Sequence, residues 1–155
     1  MAIEIEKKFL LVNDTWRQQV YKSIAFKQGY LVGSDKSSVR VRIQGEQANI
    51  NIKGATIGIS RQEFEYPIPV DDAHELLATL CDKPLIEKTR HYVSVADHTW
   101  EIDEFFGDNA GLFVAEIELS HENEDFDMQD WLGKEVSDDK RYYNSMLIKN
   151  PYKNW

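Results

Sequence analysis

The sequence predicts a mainly β (α+β) fold: a barrel or sandwich of eight antiparallel strands with a few flanking helices. Three observations predict it. Apolar and polar residues alternate with period two through most of the chain, the pattern of a strand with two unlike faces. Short turn-forming clusters separate these stretches: Gly33-Ser34-Asp35, Gly45-Glu46, residues 54–58 and Ala96-Asp97-His98. Helical spacing is confined to three short segments, so a βαβ alternation is excluded.

Taken in order, strands are expected at 3–12, 26–32, 38–44, 49–53, 60–67, 87–96, 99–105 and 112–120. A short helix is expected within 13–23. Asp71-Asp72 read as the cap of a second helix, with Ala73, Leu76, Leu77 and Leu80 at helical spacing and Pro84 ending it. A last helix is expected over 140–148, with Tyr143, Met146 and Leu147 near one face, stopped before Asn150-Pro151. The chain shows neither repeats nor a low-complexity linker, and residues 1–155 read as a single domain.

Composition narrows the function classes. The 155 residues carry 27 acids and 18 Lys or Arg, a formal charge of −9, with 42% hydrophobic residues. That balance is too acidic for a general nucleic-acid binder. No apolar run is long enough for a transmembrane helix. Met1-Ala2-Ile3-Glu4-Ile5-Glu6 places acids where a secretory leader needs a basic start. Cys81 is the single cysteine, so a reducing cytoplasm is the expected compartment.

The unusual feature is what occupies alternate positions in the strands. Glu4, Glu6 and Lys8 share one face, as do Arg40 with Arg42, Asn49 and Asn51 with Lys53, and Arg61 with Glu63 and Glu65. Lys88 with Arg90, Glu101 with Asp103, and Glu116 with Glu118 complete the set. The solvated face of a sheet would account for any one of these strands. Taken together they are less ordinary. Two carboxylates about 6.5 Å apart along a strand repel by roughly 2.5 kcal/mol at an effective dielectric of 20. Four such pairs, interleaved with paired cations, suggest a site for a polyanion and a hard metal ion. Arginine forks match phosphate oxygens, and carboxylates suit Mg²⁺ or Mn²⁺. Seven bases against eight acids leave this face near −1 and the rest of the chain near −8.

Glu4-x-Glu6-x-Lys8 resembles the opening motif of the CYTH superfamily, the triphosphate tunnel metalloenzymes. The likeness continues in order through Gln28-Gly29-Tyr30-Leu31, Val39-Arg40-Val41-Arg42, Lys53-Gly54, Glu63-Phe64-Glu65 and Lys88-Thr89-Arg90. Trp100-Glu101-Ile102-Asp103 and Ala115-Glu116-Ile117-Glu118-Leu119 follow, and the segment from Val136 to Asn144 is similar to the closing motif of short bacterial members. There Ser137, Asp138 and Lys140 stand where the family more often has Thr, Gly and Pro; these positions are expected to lie outside the tunnel lining and to bear on how the last helix docks more than on chemistry.

The resemblance implies a closed eight-stranded antiparallel β-barrel forming a tunnel. It also implies metal-dependent hydrolysis of a phosphoanhydride, which in short bacterial members is cleavage of tripolyphosphate to pyrophosphate and phosphate. Nucleoside or thiamine triphosphatases, adenylate cyclases and a non-enzymatic polyphosphate-binding module are the alternatives left open. On this resemblance, Lys8, Arg40, Arg42, Lys53, Lys88 and Arg90 are expected to bind the phosphates. Glu4, Glu6, Glu116 and Glu118 are expected to hold Mg²⁺ or Mn²⁺, helped by Asp103. Lys8 and Tyr30 are expected to act on the leaving oxygen. Arg61 is placed at the rim or in the lining, and Glu63 and Glu65 are expected to orient bases or water. The partner expected is a small-molecule triphosphate, with neither nucleic acid nor membrane, and a homodimer is left open. The histidines lack metal-ligand spacing and Cys81 reads as core.

Overall fold

The computed structural model describes residues 2–155. Nine strands follow one another: β1 (Ala2–Leu11), β2 (Val20–Gly33), β3 (Ser37–Gln44), β4 (Gln47–Gly54), β5 (Ser60–Ile68), β6 (Ile86–Val95), β7 (His98–Phe105), β8 (Phe113–Glu118) and β9 (Leu132–Glu135). Helix α1 (Val70–Thr79) separates β5 from β6, and α2 (Asn144–Lys149) lies near the C-terminus. The sheet runs β5-β4-β3-β2-β6-β7-β8-β1-β9, and an additional β5–β1 pairing closes the first eight strands into an antiparallel barrel. None of the helices among the described residues is long and apolar enough to cross a membrane.

β1 makes the closure. Along one edge, Glu6 to Phe9 pair with β8; on the other, Ala2 to Ile5 pair with β5. Where β5 leaves, β9 takes over, pairing with Phe9 and Leu11 across a register shift. The long β2 is shared in the same way, its first part bonded to β6 and its second to β3.

Because the charged positions point inward, the apolar core lies outside the barrel wall. Ala73, Leu77 and Cys81 pack on Val41, Ile43 and Ala48. Ile86, Phe105 and Val114 are covered by Val136, Tyr142, Leu147 and Ile148. Trp16, Trp100 and Trp131 close a third cluster with Ile102 and Ile117. The expected core role of Cys81 matches its burial.

Four local expectations are corrected. Instead of a helix over 13–23, a 3₁₀ turn at Thr15–Gln19 buries Trp16, and the strand resumes at Val20 because β6 needs a bonded neighbour along its whole edge. β9 was not expected; Gly133 allows its backbone to approach β1, since a Cβ there would stand 3.0 Å from Val12 and 3.1 Å from the Leu10 carbonyl. The cap of α1 is Pro69, with Asp71 and Asp72 in the first turn, where they complement the helix dipole. The expected helix over 140–148 is split: Asp139 caps a 3₁₀ turn at Lys140–Tyr142, Tyr143 is extended, and α2 starts at Asn144.

Candidate active site

Alternation brings the charged rows into one cavity of about 220 Å³. Its lining includes Glu4, Glu6 and Lys8 from β1, Tyr30 from β2, Arg40 and Arg42 from β3, and Lys53 from β4. Arg61, Glu63 and Glu65 come from β5, Lys88 and Arg90 from β6, Glu101 from β7, and Glu116 and Glu118 from β8. Lys8, Arg40, Lys53, Lys88, Arg90 and Glu116 are buried, which is rare for charged residues without partners. The barrel supplies partners to most of them.

One cluster forms where β1, β4 and β5 meet. Lys53 Nζ lies 3.0 Å from Glu4 Oε2 and 3.1 Å from Glu63 Oε2, while Arg61 Nε donates to Glu4 at 3.2 Å. Arg61 therefore belongs to the lining. A second cluster spans β6, β7 and β8. Arg90 makes a fork to Asp103 at 2.8 and 2.9 Å and reaches Glu101 at 3.0 Å and Glu116 at 3.5 Å. Lys88 Nζ donates to the same Asp103 at 2.7 Å. Across the barrel, Arg40 grips Asn51 Oδ1 through Nε and Nη2 at 3.3 and 3.1 Å. Arg42 is the least satisfied cation: Glu65 is 3.8 Å away, and its buried Nε has no acceptor among the described residues.

The Phe26 ring lies beneath three of these cations, 4.9 Å from the Arg90 guanidinium, 5.0 Å from that of Arg42 and 5.6 Å from Lys88 Nζ. Its face partly offsets their mutual repulsion.

Charges this close shift one another's protonation. Burial, reinforced by Arg40 and Arg90, lowers Arg42 to about 10. Burial likewise lowers Lys88, to about 8, against the opposing pull of Asp103. Lys53 is lowered by burial and by Arg40. Lys8 moves the other way: although burial disfavours its charge, Glu116 and Glu6 hold it raised. Among the acids, burial and the adjacent Glu116 push Glu6 well above the usual range. Glu4 and Glu116 are lowered despite burial, Glu4 by Lys53 and Arg61, Glu116 by Lys8 and Arg90.

Of the expected metal ligands, Glu4, Glu6, Glu116 and Glu118 share the cavity wall, with Glu6 opposite Glu118 and Lys8 opposite Glu116 in the β1–β8 register. The described residues hold no group of three acids already gathered as a metal cluster, because Glu4 is turned toward Lys53 and Arg61. The donor set nonetheless fits a hard divalent ion. Oxygen is the only atom type that this row of carboxylates offers a metal, and the burial and the Glu116 charge that raise Glu6 mark a place where positive charge is short. Asp103, expected as a helper ligand, sits apart from these four. It is fully buried, absent from the cavity wall, and has both oxygens taken by Arg90 and Lys88.

Tyr30 lines the cavity, paired with Arg40 in the β2–β3 register. Several lining residues have no expected functional role, and Ser137 is a correction because its position is expected outside the lining: Ser38, Ser137, Tyr143, Asn144 and Ser145. The last four come from the C-terminal segment, where a helical reading of 140–148 concealed the extended residue that turns Asn144 inward.

Comparison with known proteins agrees with this geometry. Residues 2–146 match the CYTH domain. The chain is 48% identical over 155 residues to a protein from Acetivibrio thermocellus named inorganic triphosphatase, covering 100% of this chain and 99% of that one. It is 34% identical over 148 residues to an inorganic triphosphatase from Nitrosomonas europaea, covering 93% and 95% respectively. The crystal structure of the inorganic triphosphatase NE1496 superposes with a TM-score of 0.67 at 31% identity, covering 96% of this chain and 95% of that one. The closed barrel, its inward charges and these likenesses together place the chain in the CYTH domain family.

Proposed function

We propose that the chain is an inorganic triphosphatase that takes tripolyphosphate into the barrel and hydrolyses it, with Mg²⁺ or Mn²⁺, to pyrophosphate and phosphate. The observation that carries this reading is the convergence of Lys8, Arg40, Arg42, Lys53, Lys88 and Arg90 on one small cavity that also holds a separate row of carboxylates. Apart from Tyr30, Ile59 and Tyr143 the wall is polar, so it offers little to a nucleobase or a thiamine ring. The 48% identity to a relative named inorganic triphosphatase supports the same choice. A reducing cytoplasm fits the free Cys81.

Phosphoryl transfer asks mainly for position and charge neutralisation. Arg40, Arg42 and Lys53 hold the phosphate oxygens from one side of the barrel, and Lys88 and Arg90 from the other. Burial and then the crowding of cations lower Arg42 and Lys53, and a bound polyanion offsets both. A divalent ion held by Glu4, Glu6, Glu116 and Glu118 would neutralise phosphate charge and make water more acidic. Water attacks a terminal phosphorus, the anhydride P–O bond breaks, the departing pyrophosphate oxygen takes the bonding pair, and the proton of the attacking water is lost to solvent. Lys8, kept charged by Glu116 and Glu6, meets that oxygen together with the Tyr30 hydroxyl. Asp103 acts through Arg90 and Lys88, fixing the direction of both.

The deciding experiment offers purified protein tripolyphosphate, ATP, thiamine triphosphate and pyrophosphate, each with Mg²⁺, Mn²⁺ or a chelator, and follows products by phosphorus NMR. Metal-dependent formation of pyrophosphate and phosphate from tripolyphosphate, with slower turnover of the others, is expected. Preferential turnover of ATP or thiamine triphosphate, turnover in chelator, or binding without phosphate release would each overturn the reading.

A further inference from the structure

Two consecutive residues outside the barrel touch the two lysines that the proposed chemistry uses. Asn144, the first residue of α2, turns its side chain into the cavity, where Oδ1 accepts from Lys88 Nζ at 3.1 Å and from Gln28 Nε2 at 2.8 Å. Tyr143 lays its ring 5.2 Å from Lys8 Nζ. The segment that carries them is fastened on both sides. Upstream, Ser137 Oγ accepts from the Lys8 backbone N–H at 2.9 Å and donates to Glu135 at 2.7 Å. Downstream, Leu147 and Ile148 are buried in the outer core. The segment that carries Asn144 is thus anchored on both sides.

An ammonium has three N–H donors. At Lys88 one is taken by Asp103 at 2.7 Å and a second by Asn144 at 3.1 Å, which leaves the third to be directed into the cavity. The three N–H groups turn together about the Cε–Nζ bond, so the second anchor at Asn144 steepens the well that Asp103 alone would provide and holds the third N–H in one direction. Gln28, fully buried, fixes Asn144 in turn, so the direction of one N–H is set by a chain running from β2 through α2.

We propose that Asn144 is a positioning residue of the active site, fixing the Lys88 ammonium so that a single N–H addresses the transferring phosphate. The proposal rests on the triphosphatase reading for its substrate. Its geometric content, that Asn144 orders the Lys88 ammonium, does not depend on turnover.

The test compares Asn144→Leu, which keeps the shape and loses the acceptor, with Asn144→Asp, which keeps Oδ1. Melting temperatures of both are recorded alongside. Tripolyphosphate turnover with Mg²⁺ is expected to lose about tenfold to a hundredfold in kcat in Asn144→Leu, with KM within about threefold of wild type. In Asn144→Asp most of the kcat is expected to return, while the added negative charge raises KM. Equal kcat in Asn144→Leu and wild type would overturn the proposal, as would equal losses in both variants. Independently, the Lys88 ammonium resonance in ¹⁵N-lysine-labelled protein, identified by its absence in Lys88→Arg, is expected in wild type and Asn144→Asp and broadened away in Asn144→Leu. An unchanged resonance in Asn144→Leu overturns the assignment whatever the turnover. If wild type releases no phosphate from tripolyphosphate, the triphosphatase reading fails, and the ammonium comparison alone decides the placement of Asn144.

Discussion

Asp103 is sealed from solvent yet accepts three hydrogen bonds from two cations, two from Arg90 and one from Lys88. Removing the charge from such a residue leaves its partners buried and unbalanced, a loss of about 3–5 kcal/mol when nothing else compensates. Arg90 keeps Glu101 at 3.0 Å and Glu116 at 3.5 Å, so Asp103→Asn is expected at the low end, about 3 kcal/mol. A lower urea midpoint at an unchanged m-value measures it, and a loss under about 1 kcal/mol would show that the two glutamates suffice. Lys88 makes a second prediction, through pH. Burial brings its ammonium down to about 8, against 10.5 for a free lysine. In the proposed reaction Lys88 holds phosphate through this charge, which the folded protein loses as pH rises through about 8, so kcat/KM for tripolyphosphate is expected to fall there. Lys88→Arg should be slower at neutral pH but lack that alkaline limb; the same limb in the variant would assign it to another group. The stability effect has the opposite sign. Between about 8 and 10.5 the unfolded chain binds the extra proton, so this group makes folding more favourable as pH rises through the window.

At the scale of elements, α1 is placed by what β2 omits. A Cβ on Gly29 would stand 2.8 Å from Leu85 Cδ2 and 2.9 Å from Cys81 Cβ, nearer than packed atoms tolerate. Gly29→Ala is therefore expected to cost about 1–3 kcal/mol by lifting α1 from the wall, read by urea unfolding; a change within about 0.5 kcal/mol would mean that the helix slides at little cost. The same scale separates what the sequence made legible from what it concealed. Period-two alternation located eight strands because each has one charged and one apolar face, and that alternation also placed the lining residues of β1, β3, β5, β6 and β8. The N-terminal part of β2 was hidden because Tyr21, Lys22, Ser23 and Ala25 are exposed and show no clean alternation. β9 has only four residues, one of them Gly133, and exists because β1 leaves an edge open beyond β5. The inward position of Asn144 depends on the extended backbone of Tyr143, a single residue inside an otherwise helical pattern. Asp103 was legible as inward-facing, but its saturation by Arg90 and Lys88 depends on the β6–β7 register, which pairs Arg90 with Asp103.

Across the whole molecule, the formal charge of −9 divides between two very different places. The seven bases and eight acids identified at alternating positions all gather at the cavity or, for Asp103, directly behind it. Seven bases against eight acids leave that interior near −1, so nearly all the net charge belongs to the outside. On the proposed function, an anionic substrate meets a repulsive shell before it meets the cations of the cavity. Exposed charges are screened by salt, with a Debye length that falls from about 30 Å at 0.01 M to about 8 Å at 0.15 M, whereas buried pairs are screened far less. Raising ionic strength over that range at constant free Mg²⁺ is therefore expected to increase kcat/KM for tripolyphosphate by a few-fold, with kcat nearly unchanged. The measurement uses a large monovalent salt that does not compete for the carboxylates, and initial rates well below KM. A fall in kcat/KM would mean that the field at the cavity mouth is already positive, set by Arg42 and Arg61 rather than by the acidic shell. A fall confined to Arg42→Gln-sensitive rates would identify Arg42, the cation with an unsatisfied Nε, as the residue that first engages the substrate.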